Sequence, residues 1–542
     1  MAAAIDWTAH RSRMTKAWAE KNVWQTYVRE AQDFAIPYRR PTKNYGHDPR
    51  VDRIFDSTAI DSTFRGAGQL KEDIFPSGSS WFRLTPGALA KKLIKLANDN
   101  DVQPLKRELQ NLTDQIVPYF QTGEFDLAVS EMCLDLFAST GILLPVRGDA
   151  QNPVRFFCIP ADEVALTCDV YGRVNAMSWQ RDWTKRDLKN EFPGATWPQN
   201  FMPEGEEGLD QTASLYQEFV RQPDGRWLCL ARLDQGDNTP LRTWWRKAQP
   251  FVAARYHVVP GEAYGRGPIM LALPTIKVLN KVQEMTLRNA AISLLGLWGY
   301  RPGGAFNPEI HRMRPGAFWP VNATGGMMGP DVARLDNPAR GGLDTAQIVI
   351  PDLRAIIQRL LHDDPTPGKG KTPVSAEEIL LHIQKVKQAY MGAFGRLISE
   401  IIPILIPAVA EILYEQKLLA TPIKIDQLLL GIEVTSPLAA ALKADHIQPL
   451  IQFIQVVAAF GQKVDRWVPD SAIAEIAEMI GVQPRLVTTE AERKAYDEKA
   501  AAAQAAQFAA EMAIKNPEAM GLGGGDQAAV DGGNVVPMRG AA

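Results

Sequence analysis

The chain has 542 residues, too many for one ordinary core, so several packed subregions are expected. Its 59 Lys and Arg against 62 Asp and Glu leave a formal charge of −3, which excludes a protein that grips nucleic acid over its whole surface; any such contact is local. The scattered Cys133, Cys158, Cys168 and Cys229 form no CxxC pair, which argues against a disulfide framework and a zinc site and fits a reducing cytoplasm.

From Trp7 to about Ile36 the pattern is helical, with Trp18, Trp24, Tyr27, Val28 and Phe34 among charges, and Pro37 ends it. Asp6, His10, Arg11 and Arg13 follow Met1 to Ile5 too closely for a signal-peptide core. A second helix is expected over Ser57 to Ile74, closed by Phe75-Pro-Ser-Gly-Ser-Ser80 before a strand at Trp81 to Leu84. Helices follow at Leu89 to Asn98, Val102 to Phe120 and Glu124 to Thr140.

Period-two character then takes over, with strands expected at Gly141 to Arg147, Arg155 to Ile159, Val174 to Gln180, Ser214 to Val220, Arg226 to Arg232 and Phe251 to Val258. Turns such as Pro223-Asp-Gly225 separate them, which reads as an α+β layer without βαβ units. Gly265-Arg-Gly-Pro268 breaks the chain, and Pro268 suits the first position of a helix running to about Leu297. Glycine and proline between Trp298 and Gly342 predict short strands and loops. A second helix to Leu361 places Leu353, Ile356, Ile357, Leu360 and Leu361 on one stripe, with Pro351 starting or kinking it.

Ser375-Ala-Glu-Glu378 is a capping box that opens a long helix with a stripe at Ile379, Ile383, Val386, Tyr390, Phe394, Leu397 and Ile401. Pro403 and Pro407 are expected to bend it before it ends near Leu419. Its most apolar part, Ile401 to Leu413, is shorter than the roughly 20 residues that span a bilayer, so it reads as buried and no membrane is expected. A strand at Gly431 to Thr435 and helices at Asp445 to Phe460, Ser471 to Ile480 and Glu490 to Ile514 follow, and the glycine-rich tail from Asn516 reads as disordered.

No catalytic pattern emerges. Gly370-Lys-Thr372 imitates a P-loop, but Pro365 stands where its first glycine belongs and Pro373 follows directly. Gly261, Gly265 and Gly267 lack the dinucleotide spacing, leaving a sharp turn as the better reading. The histidines His10, His47, His257, His311, His362, His382 and His446 make no metal-binding spacing, and the acid pairs Asp363-Asp364 and Glu377-Glu378 read as solvation and capping. No cofactor or metal is expected.

One residue pattern does suggest a surface. Lys277, Lys281 and Arg288 fall at offsets of 0, 4 and 11, one narrow stripe at about 100° per residue. Either this is a solvated face paired with nearby acids or it meets an anion.

Taken in order, the residues resemble the portal, or head-to-tail connector, proteins of short-tailed bacteriophages. The resemblance runs through Arg53-Ile-Phe-Asp-Ser-Thr58, Gln69-Leu70 and Phe75-Pro-Ser-Gly-Ser-Ser-Trp-Phe-Arg-Leu84. It continues through Gly261-Glu-Ala-Tyr-Gly-Arg-Gly-Pro268 with Lys277 and Asn280, Met313-Arg-Pro-Gly-Ala-Phe318, Pro373-Val-Ser-Ala-Glu-Glu-Ile379 and Val434-Thr-Ser-Pro-Leu-Ala439.

The resemblance implies a mostly helical α+β subunit with wing, two-helix stem, clip and crown, closing into a dodecameric ring. Mapped here, the wing covers 1–259, the first stem helix 260–297, the clip 298–342 and the second stem helix 343–362. A channel loop then covers 363–374, the long kinked helix and return strand of the wing 375–436, the crown 437–514 and a disordered tail 515–542.

Such a ring is a structural channel for genome packaging and ejection rather than an enzyme. Its implied partners are further copies of itself, double-stranded DNA, the terminase motor, tail adaptor and tail tube proteins, and capsid and scaffolding proteins. It belongs at the portal vertex of a virion and assembles in the host cytoplasm. Lys277, Lys281, Arg288, Arg354, Arg359, Lys369 and Lys371 are the expected DNA-facing cations, few and spaced because each phosphate neutralised adds drag. Trp244, Trp245, Trp298 and Trp319 are candidate ring anchors or plain core. A tail adaptor or other structural virion component is the alternative, and a DNA-processing enzyme the more distant one.

Overall fold

The computed structural model describes residues 7–39, 54–78, 80–87, 89–90, 92, 102–198, 201–203, 208–234, 240–295, 298–300, 332–334, 340–363, 391–419, 430–436, 496 and 498–507. The fold is mixed α+β. Helix α1 (Trp7–Ala35) ends where Pro37, lacking an N–H, turns the chain through a 3₁₀ turn at Pro37–Arg39. Arg39 then forks onto the buried Asp135 with two 3.0 Å hydrogen bonds, which ties this turn to the helix carrying Asp135.

Helix α2 (Thr58–Ile74) buries Ala59, Thr63, Leu70 and Ile74 along one face. The Phe75 to Leu84 motif after it has a packing explanation. Phe75, Trp81 and Phe82 (on strand β1, Phe82–Pro86) join Phe120, Phe125 and Phe156 in an aromatic cluster, with ring centroids 4.8 Å apart for Phe75 and Trp81. Helix α3 (Val102–Phe120) and helix α4 (Gly123–Ala138) supply the last residues of that cluster's helical side.

Strand β2 (Thr140–Arg147) is buried along six consecutive residues, so both its faces are covered. It sits between β3 (Val154–Ile159) and β9 (Val252–Arg255) in a three-stranded antiparallel sheet. A separate antiparallel meander runs β4 (Val164–Cys168), β5 (Val174–Thr184), β6 (Thr212–Arg221), β7 (Trp227–Leu233) and β8 (Arg242–Arg246). Gly225 closes the β6–β7 turn with φ at +84°, the left-handed geometry that favours glycine. Helix α5 (Lys185–Glu191) interrupts the β5–β6 connection, and the Thr184 hydroxyl accepts the Asp187 N–H at 3.1 Å as its cap.

After β9 come helix α6 (Pro268–Leu295), the short antiparallel pair β10 (Trp298–Tyr300) and β11 (Val332–Arg334), helix α7 (Arg340–Leu360), helix α8 (Met391–Glu415) and β12 (Leu430–Val434). Strand β12 returns to pair with β1, Phe82 opposite Val434. Helix α8 is long and apolar enough to cross a membrane by composition. It instead packs on β2, β3 and β9, burying Phe394, Leu397, Ile401, Ile402, Leu405, Ile406 and Val409 in the main core.

Several elements differ from the sequence expectation. The strand expected over Phe251 to Val258 stops at Arg255, because His257 instead bridges to Arg266. β4, β8 and α5 were not expected at all. The second long helix begins at Arg340, inside the expected 298–342 segment, and runs through Pro351. Gly341 and Gly342 read as breakers, but they occupy a first turn, whose N–H groups lack intrahelical partners in any sequence. The expected helix at Leu89 to Asn98, the Ser375 capping box, and the helices at Asp445 to Phe460 and Ser471 to Ile480 lie outside or almost wholly outside the described residues, as does the glycine tail. Within the expected Glu490 to Ile514 helix, the described residues 498–507 are helical.

Candidate nucleic-acid interface

Helices α6 and α7 pack side by side. The end of α6 and the start of α7 are joined through the antiparallel β10–β11 pair, so the two helices run in opposite directions.

The start of α6 is pressed into the body by two glycines. A Cβ on Gly267 would lie 1.9 Å from the Phe137 carbonyl oxygen and 2.6 Å from that of Leu136, at the end of α4. A Cβ on Gly265 would meet the Ser139 oxygen at 2.9 Å. The Ser139 hydroxyl donates to the Gly265 carbonyl at 3.0 Å, and the Gly265 N–H donates to Thr140 Oγ1 at 2.9 Å. These glycines therefore serve close backbone approach, and Gly261, with φ at +91°, serves the turn before them. A phosphate has no part in explaining the motif.

Residues Ile54 to Ser57 then strap the helix pair together. The Phe55 N–H donates to Asn280 Oδ1 on α6 at 2.7 Å, while Arg354 on α7 donates from Nε and Nη2 to Asp56 Oδ2 at 3.0 and 2.7 Å. The other Asp56 oxygen accepts the Thr58 N–H at 2.9 Å and so helps open α2. Burial raises the Asp56 pKa, but the Thr58 and Arg354 hydrogen bonds outweigh it and hold the carboxyl below its ordinary range. At the far end of α7, His362 meets the Tyr256 hydroxyl at 2.7 Å, and burial lowers its pKa to about 4, so it is neutral at pH 7.

The cation row has the phase expected from its spacing, and Lys277, Lys281 and Arg288 are all exposed. Each also has an acid in its own chain: Lys277 meets Glu30 of α1, and Lys281 and Arg288 both reach Glu284. The hydrogen bond from Lys281 is the main cause holding the Glu284 carboxyl below its ordinary value. Exposed pairs of this kind are worth little and exchange readily with another anion. Arg354 is different, since its Asp56 partner is only 3% exposed at the side chain. Arg359 is exposed, five residues from Arg354 and hence about 140° round the helix, so the two point different ways. Lys369 and Lys371 lie outside the described residues.

Among the tryptophans, Trp244 packs partly buried against the meander core, and Trp245 stacks on Arg226 at 4.8 Å. The side chain of Trp298, and all of Trp319, lie outside the described residues. Among the described residues, no group of three or more His, Cys, Asp or Glu is arranged to hold a metal. One feature escaped sequence reasoning: a cleft of about 1200 Å³ between the meander turns and α8, lined by Arg173, Arg221, Lys247, Arg396 and the ion pair of Arg255 with Glu400. Its residues come from five separate segments, so no local signal marks it.

The family model for bacteriophage head to tail connecting proteins matches residues 8–487, which span every element from α1 to β12. The chain belongs to that family. It is similar to the portal protein of Escherichia phage T7, with 21% identity over 387 residues, 70% of this chain and 69% of that protein. The portal protein of Enterobacteria phage T3 is 20% identical over 388 residues, 70% of each. Among solved structures, a chain from the virion of a native gene transfer agent particle covers 78% of this chain and 96% of its own length, at 13% identity and a TM-score of 0.33. The motifs that carried the sequence resemblance thus belong to a match over most of the chain.

Proposed function

We propose that this chain is the portal subunit of a phage particle, a structural head-to-tail connector whose copies close into a ring around the passage for packaging and ejecting the genome. The observation that carries this reading is the family match over residues 8–487, with portal proteins as its relatives. The ring stands at the portal vertex of the virion after assembly in the host cytoplasm. We take it to hold twelve copies and to dock the terminase motor, tail adaptor and tail tube proteins, and capsid and scaffolding proteins. ATP hydrolysis then belongs to the separate motor, and this chain performs no catalysis.

In this assignment α6 and α7 form the stem, and the segment between them, now ending before Arg340, forms the clip. The elements up to β9, with α8 and β12, make the wing; the residues after 436 make the crown. A ring closes only when each copy offers two different complementary patches, so the purified protein is expected to show one discrete mass, a whole multiple of the protomer. Light scattering that finds only monomer, or an open-ended series of masses, refutes the ring.

Lys277, Lys281, Arg288 and Arg359, with Lys369 and Lys371, remain the proposed DNA-facing set, while Arg354 serves the strap to Asp56. Rings of a Lys277→Gln, Arg288→Gln variant are expected to assemble normally, because both cations are exposed and their ion pairs weak. Their duplex affinity is expected to depend less steeply on salt, by about 0.9 in the log–log slope for each phosphate that is no longer neutralised. An unchanged slope removes these two residues from the channel wall.

A further inference from the structure

Helix α6 carries a second exposed stripe beside its cations. Leu271, Val278 and Met285 recur every seven residues and are 57%, 52% and 58% exposed, although α6 buries its opposite face in the subunit core. Helix α7 does the same with Val349 and Ile356, 38% and 43% exposed, and with Ile348 beside them at 70%. Solvent is a poor partner for two parallel rows of large aliphatic side chains on neighbouring helices.

The rows match in spacing and oppose in charge. On α6 the order is Val278, Lys281, Met285; on α7 it is Val349, Asp352, Ile356, with the charged residue three positions after the first aliphatic in both. Lys281 and Asp352 are both exposed. The contact Lys281 makes within its own chain, to Glu284 at 3.0 Å, is one turn of the same helix and weak.

We propose that the α6 row of one copy packs on the α7 row of the next, making these two stripes the complementary patches that close the ring. This rests on the ring reading and names its interface. Copies around a ring share one direction, so α6 of one meets α7 of its neighbour antiparallel. That sets Val278 against Ile356 and Met285 against Val349. Lys281 and Asp352 then fall between them, about 1.5 Å apart in axial register, a single residue's rise. The stripe repeats every seven residues, as aliphatic rows that interlock between helices do. Once it is covered, Lys281 at the edge of the contact is taken by the neighbour's Asp352 and leaves the DNA-facing set, while Lys277 and Arg288, about 100° and 80° round α6 from Val278, flank the contact on its open side.

The test uses the full-length protein. A Val278→Cys, Ile356→Cys double variant, oxidised after assembly, is expected to give a ladder of covalent multimers, and either single variant none. Lys281→Asp and Asp352→Lys are each expected to cut ring yield several-fold, and the two together to restore it. Rings of normal mass that give no ladder and tolerate both charge changes overturn the interface while leaving the ring intact. A native chain that forms no ring takes the ring reading and this interface down together.

Discussion

Replacing Gly267 with alanine is expected to destabilise the protein by at least about 3 kcal/mol, a large part of the roughly 5–15 kcal/mol that holds a typical domain folded. The added carbon would lie 1.9 Å from the Phe137 carbonyl oxygen and 2.3 Å from its carbon, both main-chain atoms that no rotamer change can move. Relief requires α6 to back away from the end of α4. That strains the Gly265 contacts to Ser139 and Thr140 and the start of α6. Gly68→Ala is the control: it sits exposed within α2, and a Cβ there meets nothing within 4 Å. This substitution is expected to stabilise by about 0.5–1 kcal/mol through helix propensity. Urea unfolding midpoints of the two variants decide the matter; equal midpoints contradict the packing described for Gly267.

Glu218→Ala is expected to cost about 3–5 kcal/mol. This carboxylate is fully buried on β6, where it accepts from Arg232 of β7 at 2.8 Å, from His10 of α1, and from the Ser178 hydroxyl of β5. It is therefore one of the points at which α1 is bonded to the meander, beside Arg13 with Thr167 and Asn175 and Trp18 with Ser178, and its removal leaves the Arg232 guanidinium without its counter-charge. Burial pushes the Glu218 pKa up, but hydrogen bonds and charge from His10 and Arg232 prevail and hold it below its ordinary 4.5. A carboxyl lowered in this way contributes its stability fully above that ordinary value and loses it as pH falls through the lower folded value. Wild type and Glu218→Gln are thus expected to differ at pH 7 and to converge in strong acid. A difference that stays constant from pH 7 to 3 contradicts the ionised cluster.

The fold was most legible where one local pattern suffices. The α6 helix announced itself through Pro268 and its glycine break, and most strands through alternation closed by turns such as Pro223-Asp-Gly225. β4 escaped because Val-Ala-Leu-Thr-Cys is short and buried at its first three positions without alternation. β8 escaped because Trp244 and Trp245 are adjacent and break the period. α5 was readable in principle, since Thr184 and Asp187 form a local cap.

At the candidate site, helical phase correctly put Lys277, Lys281 and Arg288 on one exposed face. Their counter-charges are partly non-local, however: Glu30 lies on α1, and Asp56 meets Arg354 across 298 positions of chain. Only tertiary structure shows that Arg354 braces its own subunit. The divergence of Arg354 and Arg359 needed no structure, because five residues along a helix never share a face.

The most direct measurement is a set of electron micrographs of the purified chain. Closed rings seen end-on, each with a central hole wide enough to pass a DNA duplex, are the expected result. Compact single subunits, or open filaments without a bore, would contradict the claim that this chain builds a conduit.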